Sequence, residues 1–255
     1  MLTRIGGLET YYALEGQGEP IILLHGWGTS SQSLQPLAAA LVEGRRVLTL
    51  DLPGFGWSQA PSDAWGSRQY ADHVVALLDQ VGIERAAVLG HSNGGRVAMQ
   101  MAVNYPARVS RLLLMASAGV RPPRGARYYA RVGTTKVLRL LAALPGLRQV
   151  GQRLLARWAD RVGSRDYRAA GPMRPTLVRL VNEDLTPMFS RIEAPTLILW
   201  GDRDPEVGRR AVELMAAGIR HARLQVFAGA GHFPFREAPD DVLRTVRAFL
   251  AEARP

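Results

Sequence analysis

Short blocks of consecutive apolar residues alternate along the chain with stretches in which apolar positions recur every three to four residues. The first pattern marks strands buried on both faces, and the second marks helices with one face in a core. Pro20–Leu24, Arg46–Leu50, Ala86–Leu89, Arg111–Met115, Pro195–Trp200 and Arg223–Phe227 read as strands, and residues 2–15 as an antiparallel hairpin. Residues 68–81 read as a helix, with Tyr70, Val74, Leu77, Leu78 and Val81 on one face and Gly82 as its stop. Further helices are expected over Asn93–Tyr105, near 206–217 and at 239–252, the last with the stripe Val242, Leu243, Val246, Phe249 and Leu250. Strand followed by helix, repeated, is the mark of an α/β fold with a mainly parallel sheet and crossover helices.

The rhythm breaks over residues 119–191, which hold helical stretches, prolines and many arginines but no strand alternation, and it resumes at Pro195. The expected organisation is therefore a core of 1–118 and 192–255 interrupted by a helical insertion, 119–191. No internal repeat and no low-complexity tract is present.

Composition narrows the classes. The 255 residues suffice for one large domain, and 47% apolar with 21% charged suits a folded globular chain. The absence of cysteine excludes disulfides, thiolate metal sites and a cysteine nucleophile. The N-terminal MLTRIGGLETYYALEG lacks the apolar segment of a secretory signal. The longest apolar runs, such as Ile21–Leu24 and Leu112–Ala116, are too short to span a bilayer. The expectation is a cytoplasmic protein without integral membrane association; a homodimer is compatible with the sequence.

The net charge of +10 raises the question of nucleic acid. Its distribution answers it. Residues 121–191 hold 15 Arg or Lys against 4 Asp or Glu, a net of +11, so the remainder sums to −1. The charge belongs to one segment without a nucleic-acid motif, and no nucleic-acid partner is expected. The arginines read either as a solvated face whose aliphatic stems cover apolar helix surface, or as a set of which some face the entrance and draw in anionic substrates.

The chemistry begins at Gly90-His91-Ser92-Asn93-Gly94. A G-x-S-x-G match alone is weak. This one directly follows an apolar strand and opens a helix, as a nucleophile elbow requires. A serine nucleophile needs a base. His232, in Gly229-Ala-Gly-His-Phe-Pro between the last strand and the last helix, is the best placed. His91 is the variable residue of the elbow, His73 lies within a helix, and His221 in a polar connection. An orienting carboxylate should follow a strand edge, and Trp200-Gly-Asp202-Arg-Asp204-Pro offers two that local chemistry barely separates. Oxyanion donors are expected from the backbone N–H of Asn93 and from the loop His25-Gly26-Trp27-Gly28, with Trp27 N–H as the donor there. Gly26 and His25 would line the substrate, the side chain of His25 bracing the loop. No His/Asp/Glu cluster has metal-ligand spacing, and no phosphate loop or dinucleotide fingerprint is present, so no metal and no cofactor is expected.

Taken together, HGWG at 25–28, DLPGFGWS at 51–58, GHSNGG at 90–95, PTLILWGDRDP at 195–205 and GAGHFPFREAPDD at 229–241 resemble the α/β-hydrolase superfamily over nearly the whole chain, in particular its esterase and C–C-hydrolase-like branch with a helical cap. The resemblance implies that Asp204 rather than Asp202 is the acid and that residues 119–191 form the cap. Ser92 sets the chain apart from the dehalogenases and epoxide hydrolases of that superfamily, which carry Asp as nucleophile. The function implied is hydrolysis of a small-molecule carboxylic ester through an acyl-enzyme. A C–C hydrolase with the same triad, or a slow-turnover binding protein, are the alternatives.

Overall fold

The computed structural model describes residues 1–121, 125–144, 146–162 and 164–253. It contains an eight-stranded sheet with strands β1 (Leu2–Ile5), β2 (Leu8–Glu15), β3 (Pro20–Leu24), β4 (Arg46–Leu50), β5 (Ala86–His91), β6 (Val109–Met115), β7 (Thr196–Gly201) and β8 (Ala222–Phe227). The helices are α1 (Gln35–Leu41), α2 (Ser67–Gln80), α3 (Asn93–Asn104), α4 (Ala126–Ala143), α5 (Arg148–Val162), α6 (Arg165–Ala169), α7 (Arg174–Asn182), α8 (Arg209–Gly218), α9 (Pro234–Glu237) and α10 (Pro239–Ala251).

The strand order is β1-β2-β4-β3-β5-β6-β7-β8. The first two strands pair antiparallel and the other six run parallel, so the loops leaving β3, β5, β6, β7 and β8 all emerge at one end. In such sheets chemistry is built beyond the carboxyl ends of the strands. Along β3 the side chains alternate. Ile21 and Leu23 join a cluster with Leu37 of α1 and Val246 and Phe249 of α10, while Ile22 and Leu24 face the other way and are equally buried. Burial on both faces is why these strands carry no polar alternation.

The chain divides into two compact units: Met1–Arg121 with Val178–Pro255, and Pro122–Leu177. The second is shorter than the 119–191 insertion expected from the sequence, because residues at both ends of that range belong with the sheet. Leu185 N–H donates to Gly119 O at 2.8 Å, Arg96 Nη1 to Glu183 O at 3.2 Å, and Phe189 is buried where α8 ends at Gly218. Within the second unit α4 and α5 form a helical hairpin. A Cβ on Gly151 would lie 2.5 Å from the Ala142 backbone, and Trp158 Nε1–H donates to Thr135 Oγ1 at 3.0 Å. Arg131, Arg139, Arg148, Arg153, Arg157 and Arg161 of this hairpin are exposed, as the solvated-face reading expects. Among the described residues no helix is long and apolar enough to cross a membrane.

Candidate active site

Ser92 sits between β5 and α3 with φ 51° and ψ −113°, a left-handed φ that a side-chain-bearing residue rarely adopts. Such a conformation costs about 1–3 kcal/mol and persists only where neighbours over-determine it. Here its N–H donates to Met115 O at 3.0 Å, and its carbonyl accepts from Gly95 N at 3.0 Å and Ala118 N at 3.1 Å. The flanking glycines are required by close approach. A Cβ on Gly90 would lie 2.3 Å from Gly94 O, and one on Gly94 2.2 Å from Leu24 O. The G-x-S-x-G spacing is therefore a steric consequence of folding α3 back against β5 and β3.

The loop after β3 lies beside the elbow because β3 and β5 are parallel neighbours with Leu24 opposite Gly90. Gly26 packs so close that a Cβ there would stand 3.3 Å from Ser92 Cβ and 3.1 Å from His91 Nδ1. Trp27 is half-buried, edge-on to Phe55 with ring centroids 4.8 Å apart. Asn93 opens α3, in the first turn whose N–H groups lack intrahelical acceptors. Its own side chain is buried, and Nδ2 has no hydrogen-bond partner among the described residues.

His25, expected to line the substrate, is fully buried instead. Its Nε2 accepts from Leu52 N–H at 2.9 Å, which places the proton on Nδ1, and Nδ1 donates to Gly26 O at 2.8 Å. Burial pushes its pKa down, against the opposing pull of Gly26 O and of Asp51. Neutral and bonded at both nitrogens, His25 braces the loop and has no nitrogen to offer a substrate.

The expected acid and base follow the next strands. Asp204 follows β7 and His232 follows β8, and His232 Nδ1 lies 2.9 Å from Asp204 Oδ2 and 3.1 Å from Oδ1. Asp204 Oδ1 also accepts the N–H groups of Glu206 at 2.8 Å and Val207 at 3.0 Å. Burial pushes the Asp204 carboxyl up, but the bond from His232 and those backbone N–H groups outweigh it and hold the pKa below the usual value. Asp202 does something else: its Oδ1 accepts Gly229 N–H at 2.7 Å and pins the start of the histidine loop. The two carboxylates, which local sequence chemistry barely separates, thus have different partners.

Three contributors escaped the sequence. His91 Nε2–H donates to the carbonyl of His232 at 2.8 Å, tying the base to the residue before Ser92. Burial pushes its pKa down to about 4, so it serves as a neutral donor. Asp51 is buried and accepts Ser31 N–H at 2.7 Å and Trp57 N–H at 2.9 Å, joining the loop after β3 to the one after β4. Glu206 places Oε2 3.2 Å from His232 Nε2. The partner of His91 lies 141 residues away in sequence, beyond any local pattern.

The sequence profile of the family described as alpha/beta hydrolase fold matches residues 19–239. The chain belongs to this family. The 2-hydroxymuconate semialdehyde hydrolase of Pseudomonas putida is 30% identical over 97% of this chain and 92% of that protein. Among solved structures, a bacterial membrane phospholipase A is similar with TM-score 0.76 and 28% identity, over 98% of this chain and 84% of that one. Est816, an N-acyl homoserine lactone degrading enzyme, is similar with TM-score 0.74 and 26% identity, over 98% of this chain and all of the other. This α/β-hydrolase therefore stands beside proteins named as a 2-hydroxymuconate semialdehyde hydrolase, a phospholipase A and a lactone-degrading enzyme.

Proposed function

We propose that this α/β-hydrolase cleaves carboxylic esters of small to medium acyl chains through an acyl-enzyme on Ser92. One observation carries the reading: a serine held in a strained turn is linked, through His91, to a buried imidazole whose Nδ1 faces the Asp204 carboxylate. With the proton on Nδ1, Nε2 of His232 is a base. It takes the Ser92 hydroxyl proton as Oγ attacks the ester carbonyl. The oxyanion receives the N–H groups of Trp27 and Asn93. Collapse breaks the C–O bond, and the alcohol leaves with the proton from Nε2. A water, deprotonated by Nε2 in turn, then releases the acid. The buried Asn93 side-chain amide, without a partner among the described residues, sits on the same residue, and a buried unpaired donor costs about 1–3 kcal/mol.

The Pseudomonas putida relative favours a second reading, C–C cleavage of a vinylogous diketone acid by the same groups. A panel of p-nitrophenyl esters from C2 to C16, run beside a 2-hydroxy-6-oxohexa-2,4-dienoate, decides between them. The ester reading expects the highest kcat/KM on a short or medium ester. A kcat/KM on the dienoate at least tenfold above every ester assigns the C–C reaction instead.

The pH profile is a second test. Nε2 acts only when His232 is neutral, so kcat/KM should rise with pH through one histidine ionisation and then level off. A profile flat from pH 5 to pH 8 removes His232 from the mechanism.

A further inference from the structure

The atom that must receive the serine proton, His232 Nε2, faces a second carboxylate. Glu206 lies two residues after Asp204, and its N–H donates to Asp204 Oδ1 at 2.8 Å. That bond curls the loop so that the Glu206 side chain returns over the imidazole, with Oε2 at 3.2 Å from Nε2. The imidazole is thus bracketed, with Asp204 on Nδ1 and Glu206 on Nε2. The two carboxylates differ in kind. The Asp204 side chain is fully buried and bound by three donors, whereas that of Glu206 is 58% exposed.

Proton inventory gives this asymmetry a consequence. Nδ1–H satisfies Asp204 whether His232 is neutral or charged. Nε2 carries a proton only in the imidazolium; in the neutral ring it presents a lone pair. A carboxylate at 3.2 Å is attracted to the first state and repelled by the second. Glu206 therefore holds the charged ring and releases the neutral one.

The geometry points to Glu206 as a positioning residue that holds the protonated base through Nε2 and frees Nε2 when His232 loses its proton. This rests on His232 serving as the base in the proposed hydrolysis. Glu206 raises the pKa of His232 and so sets the acid limit of activity.

The described groups on β5 and α9 near the ring act differently. His91, from β5, has its ring centroid 5.0 Å away and is neutral through burial. From α9, the Glu237 carboxylate accepts the N–H groups of Gly231 and Phe233, and Arg236 lies 5.3 Å over the Phe233 ring. Asp204 acts on Nδ1 and stays there in both protonation states. Among the acidic groups named here, only Glu206 has an interaction with the ring that changes sign as Nε2 titrates.

The test follows both activity and the ring itself. In Glu206→Gln the acid limb of kcat/KM for a p-nitrophenyl ester should move about 0.5–1 unit to lower pH, and in Glu206→Lys further still. One unit below the wild-type limb, activity relative to each enzyme's own plateau should rise roughly three- to fivefold in the Gln variant. Because Glu206 is half-exposed, the difference should shrink between low salt and about 1 M salt, where the Debye length is about 3 Å. In parallel, NMR titration of the His232 ring is run in Ser92→Ala with and without Glu206→Gln, where turnover plays no part. The same downward shift is expected there. If the ring shifts there while the enzyme with Ser92 intact turns over no substrate, the latch stands and the hydrolysis reading falls. If the ring titrates identically with Glu and Gln, or the limb moves upward, the latch is overturned.

Discussion

Replacing Ser92 by alanine should lower kcat by on the order of 10⁴-fold or more and leave the fold intact. The loss follows from removing the proposed nucleophile; the stability follows from local geometry. The strain at Ser92 comes from φ 51°, which alanine shares because it keeps the Cβ, and the side chain makes no cap bond whose loss would matter. The melting temperature of Ser92→Ala should therefore stay within the few degrees that a surface-like change allows. Ser92→Gly separates strain from chemistry. It is equally inactive, but glycine accepts a positive φ without penalty, so it should be more stable than Ser92→Ala by about 0.5–2 kcal/mol after its greater unfolded-state entropy is counted. Urea unfolding reads this difference. Wild-type-like turnover in either variant, with contamination excluded, would end the mechanism. A glycine variant less stable than the alanine one would show that the turn is not strained.

That strain was implicit in the sequence, since glycines two before and two after a serine at a strand–helix junction serve a turn with no room for side chains. The strands were legible for a related reason. A strand covered on both faces must be mostly apolar, and β3 to β7 are. Where the reading slipped, backbone hydrogen bonding was decided by distant or unusual partners. The helix expected near residue 206 begins at Arg209, because the Asp204 carboxylate takes the N–H groups of Glu206 and Val207 and holds that stretch as a loop. Helix α1 was not foreseen: its Gln-Pro-Leu-Ala-Ala-Ala-Leu is short and held by the cluster with α10 rather than by a long amphipathic pattern. His91 looked variable because its partner, the His232 carbonyl, belongs to a loop that only the closed sheet brings near. His25 shows the converse. Its neighbours Gly26 and Trp27 marked a substrate loop, but whether an imidazole in such a loop faces the ligand or the core depends on Leu52, which the sequence places on another strand's loop.

Asp204→Asn should reduce kcat about 10⁴-fold, while Asp202→Asn stays within a few fold of wild type. The structure predicts even the orientation of the new amide. Position Oδ1 of residue 204 accepts two backbone N–H groups, from Glu206 and Val207, and only an oxygen can do so. The asparagine must keep its carbonyl there, which puts its NH₂ at the Oδ2 position, 2.9 Å from His232 Nδ1. A donor now faces Nδ1, so Nδ1 must accept and the ring proton moves to Nε2. Nε2 can then no longer take the proton of Ser92: the ring is present and well placed, but in the wrong tautomer. At position 202 the demand is met by either residue, since Asp202 offers one oxygen to Gly229 N–H and an asparagine carbonyl offers the same. The two substitutions are chemically identical and two residues apart, so their ratio cancels expression and folding effects common to both. A difference of at least 10³-fold in kcat/KM is expected, with the Nδ1 and Nε2 protons of His232 exchanged in the NMR spectrum of Asp204→Asn. Equal losses in the two variants, or a wild-type tautomer in Asp204→Asn, would mean that the carboxylate at 2.9 Å does not set the state of the base.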